Sequence, residues 1–150
     1  MPNTLLHSPA DVTRHLLISL GLGTDPDDGG AWPVYATSEP DLPDNALTIY
    51  DTVGTSDGRS MIDGELYQHY GIQVKIRAAT HSGGGYGKAD AIRTALAETV
   101  YDETVHVGDS TYLVHCYSRI GEVLTLGKET PTSKRSLFSI NAIVALKQLS

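Results

Sequence analysis

A change of hydrophobic period in the middle of the chain most constrains what it can fold into. Between residues 70 and 80 apolar and polar side chains alternate, which is typical of a strand with one buried and one solvated face. The predicted buried side chains are Ile72, Val74, Ile76 and Ala78, and the predicted solvated ones are Gln73, Lys75 and Arg77. After a glycine-rich stretch, apolar residues recur at steps of three and four, at Ala89, Ile92, Ala95, Leu96 and Val100. This second pattern predicts an amphipathic helix that packs on the sheet.

The composition is that of a globular protein and argues against several classes. We expect the 150 residues, of which 40% are apolar and 19% charged, to form a single domain, 1–150. No apolar stretch reaches the roughly 18 residues that span a bilayer, and we expect neither membrane association nor a secretory signal. The single cysteine, Cys116, excludes an internal disulfide, and we expect synthesis in a reducing cytoplasm. The net charge of −7 argues against tight binding to nucleic-acid phosphates, but not against a surface past which DNA slides.

The remaining segments predict an α+β fold with a mostly antiparallel sheet packed against two main helices. Ser8, Pro9 and Asp11 form a helix start of the S-x-x-D type, and Gly21 ends that helix. We expect strands over residues 32–37, 46–52, 70–80, 112–118, 122–126 and 135–146. Pro33 favours an edge or an early position in the first of them. Residues 104–110 are expected to be a connection that turns at Gly108 and Asp109.

Three blocks resemble the tail terminator proteins of long-tailed bacteriophages, which are often called tail completion or minor capsid proteins. The first is Leu42-Pro-Asp-Asn-Ala-Leu-Thr-Ile-Tyr-Asp-Thr-Val-Gly54, similar to an L-P-x-N…Y-D-x-x-G opening. The second is the strand, loop and A-x-x-I-R-x-x-L helix of residues 71–96. The third is Phe138-Ser-Ile-Asn141, similar to a closing F-S-(I/L)-N strand. The chain departs from the family in its longer stretch between residues 54 and 70 and in its glycine-rich loop.

The resemblance implies a structural role in the virion rather than an enzymatic one. Such proteins form a ring, commonly of six subunits, on the head-proximal end of the tail tube, where they stop tube polymerisation. The partners it implies are further copies of the chain, the tail tube protein and the head–tail connector or head-completion protein. DNA would pass through the lumen without specific binding. The family has no catalytic, cofactor or metal residues to carry over, so none are predicted here.

The long polar stretch 53–69 is the expected docking element, since it buries too little apolar surface to order alone. The candidate interface residues are Arg59, Met61, Ile62, Leu66, Tyr67 and Tyr86. Two tyrosines are included because the chain has eight Tyr but only one Phe and one Trp. Tyr is enriched in the cores of protein interfaces. A ring of subunits of charge −7 should also turn carboxylates toward the DNA. The candidate lumen residues are Asp57, Asp63 and Glu65.

Two alternatives stay open from the sequence. Within virion proteins, the chain could be a head-completion or connector adaptor. From a different class, Gly108-Asp109-Ser110 is similar to the G-D-S of one esterase group and would suggest a small hydrolase, although no D-x-x-H follows it. The glycines before Lys88 fail as a phosphate loop, because Ala89 stands where a Ser or Thr is required.

Overall fold

A computed structural model describes residues 5–55, 68–79, 84–130 and 134–149 of the chain. These ranges contain two α-helices, α1 (Pro9–Ser19) and α2 (Tyr86–Thr94), the second extended by a π-helical turn, Ala95–Thr99. They also contain seven strands, which are β1 (Val34–Ala36), β2 (Ala46–Thr55), β3 (Gln68–Ala78), β4 (Glu103–Val107), β5 (Ser110–Ser118), β6 (Leu124–Lys128) and β7 (Ser136–Gln148). A short 3₁₀ turn, Pro26–Asp28, lies in the acidic segment before β1. Neither of the described helices has the length and apolarity to cross a membrane.

All seven strands belong to one sheet, in the order β1-β2-β3-β7-β5-β4, with β6 also paired to β7. β1 runs parallel to β2, and every other pair is antiparallel. The long strand β7 holds β6 along its first half and β5 along its second half. This arrangement confirms the predicted α+β class with a mostly antiparallel sheet and two main helices.

The core lies on the face of the sheet that carries the helices. The period-two residues of β3 and β7 point into it and are buried, as predicted; they are Ile72, Val74, Ile76, Ala78, Phe138, Ile140, Ala142, Val144 and Leu146. From the helices, Leu16 and Leu17 of α1 and Ile92 of α2 pack against them. The helix period predicted from the sequence is therefore confirmed at Ala89, Ile92, Leu96 and Val100, all of which are buried.

The start of α1 is capped from two directions. Ser8 Oγ accepts a hydrogen bond from the backbone N–H of Asp11 at 3.2 Å, which is the cap predicted from the sequence. A second acceptor is Oδ1 of Asp51 on β2, which accepts a hydrogen bond from the backbone N–H of Ala10 at 2.9 Å. Deeper in the helix, the Thr13 and Tyr117 hydroxyls lie 2.8 Å apart in the core. These contacts fix α1 to two strands as well as to the apolar face of the sheet.

Several predicted boundaries were wrong. Residues 104–110 are not a plain connection, because Glu103–Val107 forms β4 and pairs with β5 around a two-residue turn at Gly108 and Asp109. Both ends of the predicted loop 53–69 are strand, since β2 continues to Thr55 and β3 begins at Gln68. The expectation for Pro33 is confirmed, because β1 lies at one end of the sheet order.

The prediction that Arg77 lies on a solvated face was also wrong. Its side chain is only 1% exposed, because residues 37–45 fold over the polar face of the sheet and cover it. Arg77 Nη1 lies 2.9 Å from Glu39 Oε1, and its other nitrogens donate to the carbonyls of Pro43 and Asp44. Lys75 Nζ adds an ion pair with Glu39 Oε2 at 3.3 Å. The alternation along β3 is therefore correct, but its polar face is buried at this end by a charged cluster.

We predict that Arg77→Met destabilises the protein by about 3 kcal/mol, because it leaves the carboxylate of Glu39 buried with one cation fewer. Lys128→Met removes an exposed cation and should change the free energy of unfolding by about 0.5 kcal/mol or less. Urea unfolding of Arg77→Met, Lys128→Met, Glu39→Gln and the double variant Glu39→Gln/Arg77→Met measures these values. The double variant should cost less than the sum of the single variants. A cost below about 1 kcal/mol for Arg77→Met would contradict the role assigned to the cluster.

Candidate assembly surface

Most of the candidate interface and lumen residues lie outside the described ranges. They are Arg59, Met61, Ile62, Leu66 and Tyr67 for the interface and Asp57, Asp63 and Glu65 for the lumen. Tyr86 lies within the described residues, at the first position of α2, and is 46% exposed. Its ring packs edge-to-face on that of Phe138, with centroids 6.2 Å apart. Tyr86 therefore has one side anchored on the core and one side open to a partner.

The L-P-x-N part of the first sequence block forms a loop that is held by three cations. Leu42 and Pro43 are joined by a cis peptide bond, and the Asn45 side chain accepts the N–H of Ala79 at 2.8 Å. Arg135, just before β7, lies 3.2 Å from Asp41 Oδ1 and 2.6 Å from Glu129 Oε2. Together with Lys75 and Arg77, it ties residues 37–45 to the β3–β7 pair. Leu42 is 71% exposed on this loop, so the loop presents an apolar side chain from a fixed frame.

The Y-D-x-x-G part of the same block shapes the end of the β2–β3 pair. The register between these strands shifts between Thr52 and Thr55. Here the backbones approach so closely that a Cβ on Gly71 would overlap the carbonyl group of Val53. A Cβ on Gly54 would likewise overlap the carbonyl oxygen of His69. The two glycines are therefore needed for close backbone contact, while Asp51 of the same block caps α1.

Two stretches of strand have no strand partner on their outer side among the described residues. β1 covers β2 only along Leu47–Ile49, which leaves the outer side of residues 50–55 uncovered. β6 pairs with β7 on one side only, and all five of its residues are exposed. We call these stretches the β2 edge and the β6 edge. Their exposed apolar side chains are Val53, at 92%, and Leu124 and Leu126, at 50% and 51%.

The other two sheet ends are better protected. The outer side of β1 is closed by Thr24, whose carbonyl accepts the N–H of Val34 at 3.0 Å, and by Arg14, whose Nε donates to the Val34 carbonyl at 2.7 Å. On β4 the exposed side chains are the polar Thr104 and His106. Polar and covered ends of this kind are how proteins avoid pairing with other chains. The β2 and β6 edges lack this protection in the described part of the chain.

A shallow groove of about 290 Å³ lies between α2 and the segment that precedes β6. It is lined by Tyr86, Asp90, Arg93, Glu122 and Val123. Arg93 Nε donates to the carbonyl of Gly121 at 3.1 Å, so this guanidinium also ties α2 to the β5–β6 connection. The two carboxylates give the groove an acidic character next to the half-exposed Tyr86. It is open to solvent, unlike the enclosed pockets that bind small substrates.

The Gly108-Asp109-Ser110 segment forms the tight turn between β4 and β5 and the first residue of β5. Gly108 has a φ of +60°, the conformation that favours glycine at the first central position of a tight hairpin turn. Ser110 begins β5 and is 6% exposed, and its Oγ lies 3.5 Å from Nε2 of Gln148. The contact is with an amide, whereas activation of a serine requires a base. The described residues therefore give no support to the hydrolase alternative.

Lys88 does not face an anion site among the described residues. Its Nζ lies 5.5 Å from the centroid of the Trp32 ring, which is a cation–π distance. Burial lowers the pKa of Lys88, as expected for an ammonium group partly removed from water. The lysine after the glycine-rich stretch thus joins α2 to the segment before β1.

The histidines within the described ranges are engaged separately. His115 Nδ1 lies 2.6 Å from Asp102 Oδ1, and His7 Nδ1 lies 2.8 Å from the hydroxyl of Tyr112. In the described part of the chain no three His, Cys, Asp or Glu side chains converge as metal ligands do. Cys116, next to His115 in the sequence, is half-buried. The pKa of its thiol is raised mainly by burial and secondly by the negative charge of Asp102.

Comparison with known families gives a match over most of the chain. Residues 16–130, about three quarters of the chain, match the sequence model of the family described as bacteriophage tail terminator protein. The matched range includes the first and second sequence blocks and ends before Phe138. No match was found among individually curated proteins.

We predict that Gly71→Ala lowers the free energy of unfolding by about 2 kcal/mol or more, because the added methyl group overlaps the backbone of Val53. Gly87→Ala is the matched control, since it lies within α2 and nothing stands within 4 Å of the added Cβ. That variant should stabilise the protein by about 0.5–1 kcal/mol through helix propensity. Thermal and urea unfolding report both changes. Equal effects of the two substitutions would show that the β2–β3 approach is not tight.

Proposed function

Because this chain belongs to the bacteriophage tail terminator family, we propose that it forms a ring at the head-proximal end of the phage tail tube. There it ends tube polymerisation and joins the tail to the head connector. The observation that carries this proposal is the family match over residues 16–130. A location in the virion tail follows from the family itself.

The architecture supports an assembly role in two ways. The sheet leaves the β2 and β6 edges uncovered within the described residues, and open edges are surfaces on which protein chains associate. The exposed leucine of the loop 37–45 is carried on a frame of ion pairs, so little conformational entropy is lost when a partner binds it. In a ring, each subunit contacts two neighbours through different surfaces, so it needs several contact surfaces of this kind.

We further propose the partners and the orientation of this ring. Six copies of the chain would surround the DNA, with the tail tube protein on one side and the connector or head-completion protein on the other. Arg59, Met61, Ile62, Leu66, Tyr67 and Tyr86 are the proposed contact residues with a neighbour or the tube. Asp57, Asp63 and Glu65 are the proposed lumen residues, where negative charge would keep DNA phosphates from adhering. No catalytic step is part of this function.

We predict that the purified chain reaches about six times the subunit mass by multi-angle light scattering, at least in the presence of tail tubes. An antibody to the chain should label a single position on isolated tails, the end that faces the head. Tail tube protein polymerised with the chain present should give shorter tubes than the same protein with an unrelated protein added.

The outcomes separate the alternatives. Label on the capsid portal but not on tails that have been detached from heads would favour a connector adaptor. A chain that stays monomeric alone and with tubes, and leaves tube length unchanged, would contradict the terminator function.

A further inference from the structure

The β2 and β6 edges lie on opposite sides of the central β3–β7 pair. In the sheet order β2 is on the β3 side, whereas β6 attaches to β7 on the other side. Both edges are uncovered in the described ranges, and both carry exposed apolar side chains, Val53 on one and Leu124 and Leu126 on the other. A strand edge with exposed aliphatic side chains and few charges is the kind that pairs with another chain.

The directions of the two edges suit antiparallel pairing between equally oriented copies. β2 and β7 run in the same direction, because both are antiparallel to β3. β6 is antiparallel to β7 and therefore also to β2. β6 lies beside residues 136–139 of β7, whereas residues 50–55 of β2 lie level with residues 141–145 of β7. Two copies in one orientation, shifted along the strands by this offset, would thus bring β6 of the first copy antiparallel to the β2 edge of the second. The helices of both copies would remain on the same face of the joined sheet.

The side chains along the two edges are complementary in this arrangement. Counted along the sequence, an antiparallel alignment that sets Val53 opposite Leu126 also sets Asp51 opposite Lys128. Both strands shift register at this point, β2 between Thr52 and Thr55 and β6 between Thr125 and Gly127, so the alignment places one irregular stretch of strand opposite the other. Asp51 and Lys128 are both exposed, so the carboxylate of Asp51, whose Oδ1 also accepts the N–H of Ala10, can meet Lys128 without the cost of burial. Opposite charges and facing aliphatic groups are the pairs that stabilise neighbouring strands. Pairing of β6 with β6 of another copy would instead bring the two Lys128 side chains near one another, or leave each of them without an opposite charge across the strands.

We infer that the β2 edge of each subunit pairs antiparallel with the β6 edge of the next copy, so that the sheets join into one continuous sheet. This inference rests on the proposed ring and names the surfaces that build it. The contact is heterologous, since each copy uses a different surface on each side, and such contacts generate closed rings when the rotation closes. In the joined sheet the β2 edge and the β6 edge each have a strand partner, so neither edge remains open to other chains.

Cysteine cross-linking tests this pairing directly. Val53→Cys/Leu126→Cys is made in a Cys116→Ser background, so that the introduced thiols are the only ones. Facing positions on neighbouring strands bring Cβ atoms to distances that a disulfide can span. Mild oxidation should give a ladder of covalent oligomers up to the size of the ring on a non-reducing gel. Each single-cysteine variant should give no ladder.

A second pair controls for chance collisions. Val53→Cys/Leu149→Cys places the second thiol at a position as exposed as Leu126, 50% against 51%, but away from β6. It should remain largely monomeric after the same oxidation. Leu126→Asp should abolish ring formation while its melting temperature stays within a few degrees of the parent, and Leu149→Asp should form rings normally.

The results distinguish this inference from the ring itself. Rings seen by imaging without cross-linking of Val53→Cys/Leu126→Cys would overturn the pairing and leave the proposed function standing. Covalent dimers from Leu126→Cys alone would also overturn it, because they would show β6 paired with itself. The absence of both rings and cross-links, in free protein and in tails, would count against the pairing and the proposed function together.

Discussion

The pairing of β3 with β7 is the interaction on which the rest of the structure depends. It runs without a register shift from Gln68 opposite Leu146 to Ala78 opposite Ser136. Every other strand attaches directly or through one neighbour to this pair, and both helices pack on its apolar face. Because side chains alternate along both strands, a slip by one residue would turn the whole core face outward. The unbroken register therefore fixes which face receives the helices and which face receives the loop 37–45.

The same pair determines where the sheet stays open. β7 is longer than the strands on its far side, so β6 and β5 share it end to end. β2 likewise extends beyond its short neighbour β1. These differences in length, rather than a special motif, leave the β2 and β6 edges uncovered in the described part of the chain. An assembly role for the protein would follow from a core that is closed on one face and a sheet that is open at two of its margins.

Much of this fold could be predicted from local patterns, and the failures have physical causes. The period of two in β3 and β7 and the cap at Ser8 depend on neighbours in sequence, and both were correct. The burial of Arg77 depends on Glu39, which lies far away in the chain, so the local pattern assigned Arg77 to solvent. β4 was missed because its five residues include only two apolar ones, Val105 and Val107, and a Gly-Asp turn follows, so the segment resembles a loop until β5 is placed beside it. The open edges could not be predicted at all, since they depend on strand lengths and pairing. The predicted interface and lumen residues between 57 and 67 lie outside the described ranges.

The most direct measurement of the central claim is a cryo-EM map of the head-proximal end of the tail at a resolution that separates strands. Our account predicts a ring of this chain in which β6 of each subunit lies about 4.8 Å from β2 of the next, with both strands antiparallel. The uncovered edges found in the single subunit would then be absent from the assembly. A ring in which β2 and β6 both face solvent, or a tail end that lacks this chain, would contradict the account.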